Sequence, residues 1–337
     1  MISVSPAPQG RGEREYFTRI FYFYIVWGEC MQIAIMVLVL LLLIVVTAGY
    51  WLFYYVAGRR VREPRRYLPE YLEPYRAEMD EGVNWFQMQE PEYVEIPASD
   101  GERLVALHLE ADDPRGTVIL MHGYRTSPYH DFGCVFRFYY EMGYSILAPY
   151  QRGHGESGGD FICFGVKERF DCQDWASYIS DRYGPEHDIF LDGISMGSAT
   201  VLMAAGLELP ESVRGVISDC GYTSPWEELR EVFARRHIPA YPCLVITDLF
   251  ARLLAGYGLR DCSTIDAMEL GRLPVLFIHG EADTFVPISF TKRNYEACRA
   301  EKVLITVPGA GHGASYLLAS AQCRQTLADF LQKHGTY

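Results

Sequence analysis

No two cysteines in this chain stand two residues apart, so the close ligand pairs from which zinc sites are usually built are missing. Excess positive charge is missing too. Forty-three acidic residues against 30 basic ones give a net charge of −13, and an acidic surface repels phosphate backbones, which argues against a nucleic-acid partner. There is no internal repeat and no low-complexity tract. From Cys30 to Gly58 there is no charged residue at all.

That uncharged run is too long for an ordinary buried helix and exceeds the roughly 20 residues that cross a bilayer. Tyr50, Trp51, Tyr54 and Tyr55 cluster at its end, where amphipathic rings suit the headgroup level, and Arg59, Arg60, Arg62, Arg65 and Arg66 follow. A cleaved signal peptide would have a shorter apolar core and its charge on the other side. The expectation is a single transmembrane helix over residues 31–58, preceded by a tail over 1–30 and followed by a linker with a short helix over 59–90. Met31 is a second candidate start. The arginines that follow the helix place the remaining domain in the cytoplasm by the positive-inside rule. The eight cysteines from Cys134 to Cys323 read as reduced core thiols, in keeping with that compartment.

About 270 residues remain, enough for one large domain. Two strand-like runs, Glu92–Ile96 and Arg103–Glu110, flank the turn Ser99-Asp100-Gly101 and read as an antiparallel hairpin. Six further runs follow: Thr117–Met121, Ser145–Ala148, Asp188–Leu191, Val213–Ser218, Val275–His279 and Val303–Val307. Helical patterns separate them, near Phe132–Met142, Val166–Tyr183, Met196–Leu207, Ser289–Ala300 and Ala314–His334. Such alternation implies an α/β fold, a mostly parallel eight-stranded sheet flanked by helices, with ligands at the carboxyl ends of the strands. Between Tyr222 and Leu270 no parallel strand is visible, and the aromatic and apolar content predicts a small helical cap inserted over the catalytic edge.

The chemistry is carried by Gly193-Ile194-Ser195-Met196-Gly197, placed between an apolar run and a helix-forming stretch. This is the strand–turn–helix setting of a nucleophile elbow, in which the serine sits on a tight turn and glycines two residues away avoid neighbouring backbone. A serine hydroxyl needs a base. His312, on the Gly-rich loop after Val303–Val307, is the candidate. The base needs an orienting carboxylate, and Asp283, directly after Val275–Ile278, is preferred to its rivals Glu281 and Asp219. Nucleophile, acid and base then occur in the order Ser195, Asp283, His312.

These motifs, together with Leu120-Met121-His122-Gly123-Tyr124 and Tyr150-Gln151-Arg152-Gly153-His154-Gly155-Glu156-Ser157, make residues 90–335 resemble an α/β-hydrolase. The branch it most resembles contains monoacylglycerol-lipase-like and serine-aminopeptidase-like hydrolases, some of them single-pass membrane proteins. The resemblance implies an oxyanion hole from the backbone N–H groups of Met196 and Tyr124. It also implies scaffold roles for His122 and His154, and it sets Gln151 where relatives often carry aspartate. The expected activity is hydrolysis of carboxylic esters or thioesters, on small-molecule or lipid-derived substrates, with no metal or organic cofactor. Peptide hydrolysis and a non-catalytic binding role are the alternatives. The sequence sets no oligomeric state.

Overall fold

A computed structural model describes residues 11–59 and 69–336, so the expected linker is described only in part and its arginines at 60, 62, 65 and 66 lie outside the described residues. The chain forms two compact units, Met1–Trp51 and Leu52–Tyr337.

The first unit is taken up by α1 (Arg11–Ala57), whose last turn belongs to the second. Its 47 residues make it about 70 Å long, more than twice the ~30 Å hydrocarbon thickness of a bilayer. Among the described residues it is the one helix long and apolar enough to cross a membrane, with a mean hydropathy of 3.0 over an 18-residue stretch, and side chains such as Leu38 and Leu42 are exposed. The helix starts 20 residues before the expected Met31, because residues 11–30 contain no proline, and of their two glycines Gly12 lies in the first turn and only Gly28 falls in the interior.

In the second unit a 3₁₀ turn (Glu70–Tyr75) leads into α2 (Arg76–Met88). The hairpin β1 (Glu92–Pro97) and β2 (Arg103–Leu109) opens the sheet. Then come β3 (Gly116–Met121), α3 (Pro128–Phe132), α4 (Phe136–Glu141), β4 (Tyr144–Tyr150), α5 (Glu168–Tyr183), β5 (Asp188–Ile194), α6 (Met196–Ala204) and β6 (Val213–Asp219). The insertion forms α7 (Pro225–Arg235), α8 (Ala240–Phe250) with a wider final turn, and α9 (Thr264–Leu270). The chain ends with β7 (Val275–Gly280), α10 (Ile288–Ala297), β8 (Lys302–Val307), α11 (Ser315–Leu318) and α12 (Ser320–His334). All eight expected strands form. The expected helix over Phe132–Met142 is instead the short pair α3 and α4, parted at Gly133, where a side chain would press on the backbone of Met79 and Tyr129 and on Val83.

The strand order is β1-β2-β4-β3-β5-β6-β7-β8, with β2 antiparallel to both of its neighbours, β1 and β4, and every other pair parallel. Side chains alternate between the faces of a strand. Thus Val118 and Leu120 of β3 join one apolar layer with Phe86, Phe136 and Phe330, while Ile119 and Met121 join the other with Trp175 and Leu202. A third cluster holds Met196 and Ala199 of α6 against Leu229, Phe233 and Leu244 of the insertion, and against Phe53 and Ala57 from the last turn of α1. The short helix expected after the linker corresponds to the 3₁₀ turn and α2. Helix α2 packs on the core through Met79, Val83 and Phe86, and its Gly82 lies so close to Gly133 that a Cβ would meet the Gly133 carbonyl at 1.8 Å.

Candidate active site

Ser195 lies between β5 and α6 with φ 58° and ψ −114°, a conformation that a residue with a side chain holds only where its surroundings force it. The turn is closed by backbone packing. A Cβ on Gly197 would sit 1.7 Å from the Met121 carbonyl oxygen, and one on Gly193 would sit 2.3 Å from Gly197. Only glycine fits either position. The Ser195 N–H donates to the Asp219 carbonyl at 2.9 Å, tying the elbow to β6.

His312, on the loop after β8, brings Nε2 to 2.9 Å from Ser195 Oγ, and its Nδ1 lies 2.7 Å from Asp283 Oδ2. The other oxygen of Asp283 accepts the N–H groups of Phe285 and Val286 at 2.7 and 2.9 Å. Burial pushes the Asp283 carboxyl up, but hydrogen bonds from His279 and His312 and from the Val286 N–H outweigh it and hold the carboxyl well below the usual carboxylate range. The two rivals sit elsewhere. Glu281 accepts the Thr306 hydroxyl at the surface. Asp219 is buried beneath the elbow, where desolvation and the charges of Asp192 and Asp283 drive its carboxyl well up, towards the neutral form.

Met196 opens α6, and the first N–H groups of a helix have no partner within it. Tyr124 lies on the loop after β3, which approaches Ser195 so closely that a Cβ on Gly123 would be 3.4 Å from Ser195 Cβ. Asp131 braces this loop. Its Oδ2 accepts the Gly123 N–H at 2.6 Å and the Thr126 hydroxyl at 2.7 Å, and its Oδ1 lies 2.9 Å from His130 Nδ1. His122 and His154 are buried and act as struts. His122 Nε2 accepts the Gln151 N–H at 3.0 Å, and His154 Nε2 accepts the Arg125 N–H at 2.9 Å. Burial and the neighbouring His122 push His154 down to about 3, so it stays neutral. Gln151 returns its side-chain amide to the His122 carbonyl.

Ser195, His312 and Tyr124 open onto a pocket of about 570 Å³. Its walls include Leu72 and Met79 from the N-terminal side, Ile194, Phe285 and Leu317. None of its lining residues comes from 222–270. The insertion packs on the elbow helix, with Leu229, Phe233 and Leu244 beside Met196 and Ala199. It reaches the pocket wall indirectly, through Arg235, which donates to the carbonyls of Thr284 and Phe285. The segment from Pro69 to Met79 was missed as a wall. The spacing of Leu72, Met79, Val83 and Phe86 is a helical apolar stripe that signals a buried face without naming what it faces. Tyr71 was missed as well. Its hydroxyl donates to the His312 carbonyl at 2.9 Å, and burial, with the charge of Asp283, pushes it up to about 12, so it remains a donor.

Cys220, Asp283 and His312 place potential ligand atoms within 4.8 Å of one another. Both ring nitrogens of His312 are already bonded, one to Asp283 and one to Ser195, so a metal there would break the contact that could activate the serine.

Glu228 of α7 is buried near this site. Arg235 stands 3.7 Å from its carboxyl, and neither oxygen has a hydrogen bond among the described residues. Burial pushes Glu228 up to about 8, with the charge of Asp283 adding to the shift and Arg235 opposing it. An acid raised in the folded state contributes stability that is fully present below its unfolded value and is lost as pH rises through the folded value, here by about 8. Glu228→Gln is expected to raise the melting temperature by a few degrees, on the order of 2–4 °C, at pH 9 and to leave it unchanged at pH 5. Thermal unfolding at the two pH values checks this, and an equal shift at both contradicts it.

Residues 112–254 match the model of a family described as serine aminopeptidase S33, and residues 261–336 match one described as TAP-like protein. The protein YqkD of Bacillus subtilis is 30% identical over 261 residues, covering 76% of this chain and 85% of that one. The protein YfhR of Escherichia coli O157:H7 is 26% identical over 230 residues, covering 66% of this chain and 73% of its own. Among solved structures, the Pyrococcus furiosus esterase Pf2001 superposes with a TM-score of 0.61 at 21% identity, over 82% of this chain and 100% of that one.

Proposed function

The chain belongs to the α/β-hydrolase superfamily, and we propose that it is a serine hydrolase that cleaves carboxylic ester or thioester bonds through Ser195, His312 and Asp283. The observation that carries this reading is the chain of hydrogen bonds from Asp283 through His312 to Ser195 Oγ. As His312 Nε2 takes the hydroxyl proton, Ser195 Oγ bonds to the acyl carbon, and the carbonyl oxygen becomes an oxyanion held by the N–H groups of Met196 and Tyr124. Collapse expels the alcohol or thiol, which receives the proton from His312. Water then gives a proton to His312, attacks the acyl-enzyme, and leaves the carboxylic acid and free Ser195.

The apolar side chains in the pocket wall suit an acyl group, including one derived from a lipid. A bilayer partner fits this substrate class: α1 would cross the membrane over residues within the expected span 31–58, with the hydrolase unit on the cytoplasmic side that its following arginines favour. Amide hydrolysis is the second reading, favoured by the aminopeptidase description of the matching family model. An aminopeptidase needs a carboxylate for the substrate's amine. Asp131 is the one acid among the described lining residues, and it is engaged by Gly123, Thr126 and His130.

The test is the turnover of p-nitrophenyl esters from acetate to palmitate, set beside aminoacyl anilides, by the full chain in detergent. Esters are expected to be turned over far faster, and faster anilide turnover overturns the choice of bond. Met79→Trp fills the wall of the pocket. It is expected to lower kcat/KM for the longest accepted acyl chain about tenfold or more while sparing acetate. Equal loss on every ester places the acyl chain elsewhere.

A further inference from the structure

The last turn of α1 is bonded to the loop that carries Tyr124. A helix C-terminus leaves carbonyl groups without intrahelical partners and carries partial negative charge, which a cation can satisfy. Here the guanidinium of Arg125 donates through Nη2 to the Tyr55 carbonyl at 2.7 Å and reaches the carbonyls of Gly58 and Val56 at 3.3 and 3.4 Å. The Tyr124 hydroxyl donates to the Val56 carbonyl at 2.6 Å. These residues all lie in the unit Leu52–Tyr337.

The helix end is itself firmly seated. Phe53 is fully buried, with its ring 5.0 Å from that of Phe161. The Ala57 carbonyl accepts the Ile162 N–H at 2.7 Å, and the Arg59 guanidinium donates to the carbonyls of Gly155 and Ser157, both at 2.6 Å.

The bonds on the loop divide by residue. Asp131 holds Gly123 and Thr126, and His154 accepts the Arg125 N–H, while the side chains of the two residues between Gly123 and Thr126, Tyr124 and Arg125, run to the helix end. Arg125 has φ 57°, a left-handed conformation that a side-chain-bearing residue keeps only under constraint. From this division we infer that the last turn of α1 is a positioning element of the hydrolytic site. It fixes residues 124 and 125 so that the Tyr124 N–H meets the oxyanion, and the anchor helix is thereby part of the catalytic apparatus as well as a tether. This inference rests on the reading of Ser195 as nucleophile and Tyr124 as oxyanion donor.

The test uses the full chain in detergent, with Phe53→Ala, which lies away from the pocket lining, Arg125→Ala, and the double variant. Misplacing a catalytic donor by about an ångström costs up to 10²-fold, so each single variant is expected to lower kcat on p-nitrophenyl acetate by on the order of tenfold, with KM within about twofold. Both act through one contact, so the double variant is expected to be no slower than the worse single, and Phe53→Leu to recover most of the rate. A Phe53→Ala chain that loses melting temperature but keeps wild-type kcat overturns the inference, as do losses that multiply in the double variant. If Phe53→Ala does not fold, Tyr124→Phe, which removes one hydroxyl, is expected to lower kcat several-fold (about 3 to 10) at unchanged melting temperature. Unchanged kcat there overturns the inference equally. A wild-type chain that neither hydrolyses esters nor reacts with a fluorophosphonate overturns the Ser195 reading and this inference with it. A wild type that does both beside unaffected variants overturns this inference alone.

Discussion

Ser195→Ala is expected to reduce ester hydrolysis by about 10⁶-fold, the scale of loss seen when a triad serine is removed from a hydrolase. The size follows from the absence of a substitute among the described neighbours. Ser198, one turn along α6, is buried with its hydroxyl 2.6 Å from that of Ser218. Thr200 donates to the Met196 carbonyl at 2.9 Å. Neither hydroxyl lines the pocket, so what survives is water attack aided by the oxyanion donors. Initial rates on the purified chain check this, with unchanged melting temperature as evidence that the fold is retained. A residual rate within about 100-fold of wild type contradicts it.

Asp283→Asn is expected to cost about 10⁴-fold, almost all of it in kcat. The loop would keep its shape, because an asparagine oxygen can still accept the N–H groups of Phe285 and Val286. What changes is the tautomer of His312. An amide NH₂ facing Nδ1 donates where the carboxylate accepted, so the ring proton moves to Nε2 and that nitrogen can no longer take the proton of Ser195. The Asp283 carboxyl is held well below the usual carboxylate range, so it stays ionised through the acid side of neutrality, and an acid limb in the wild-type pH profile belongs to another group. Steady-state kinetics of Asp283→Asn beside Glu281→Gln and Asp219→Asn distinguish the three acids. The account requires the large kcat loss with Asp283 alone.

The parts of this molecule that were legible in its sequence are those set by local pattern. Strand runs alternate with helical ones because each must bury a face, and the glycines at 193 and 197 stand where a Cβ would strike backbone. Ser195, Asp283 and His312 each follow a strand, so their convergence at one edge of a parallel sheet could be anticipated from chain order. The walls of the pocket could not. Leu72 and Met79 show a helical stripe, yet nothing local says that the stripe faces Ser195 across more than a hundred residues. The same holds for the insertion. Its aromatic and apolar residues announce burial without naming their partners, which include Met196 and Ala199 of α6. The bonds from Arg125 to the end of α1 join residues 67 to 70 apart and are made to backbone carbonyls, which leave no trace in side-chain spacing.

The most direct measurement is intact-protein mass spectrometry of the full chain after exposure to a fluorophosphonate, followed by mapping of the modified peptide. One adduct per chain is expected, located on Ser195 and absent from Ser195→Ala. An adduct that persists in Ser195→Ala, or a folded wild-type chain that takes up none, contradicts the assignment of Ser195 as an activated nucleophile.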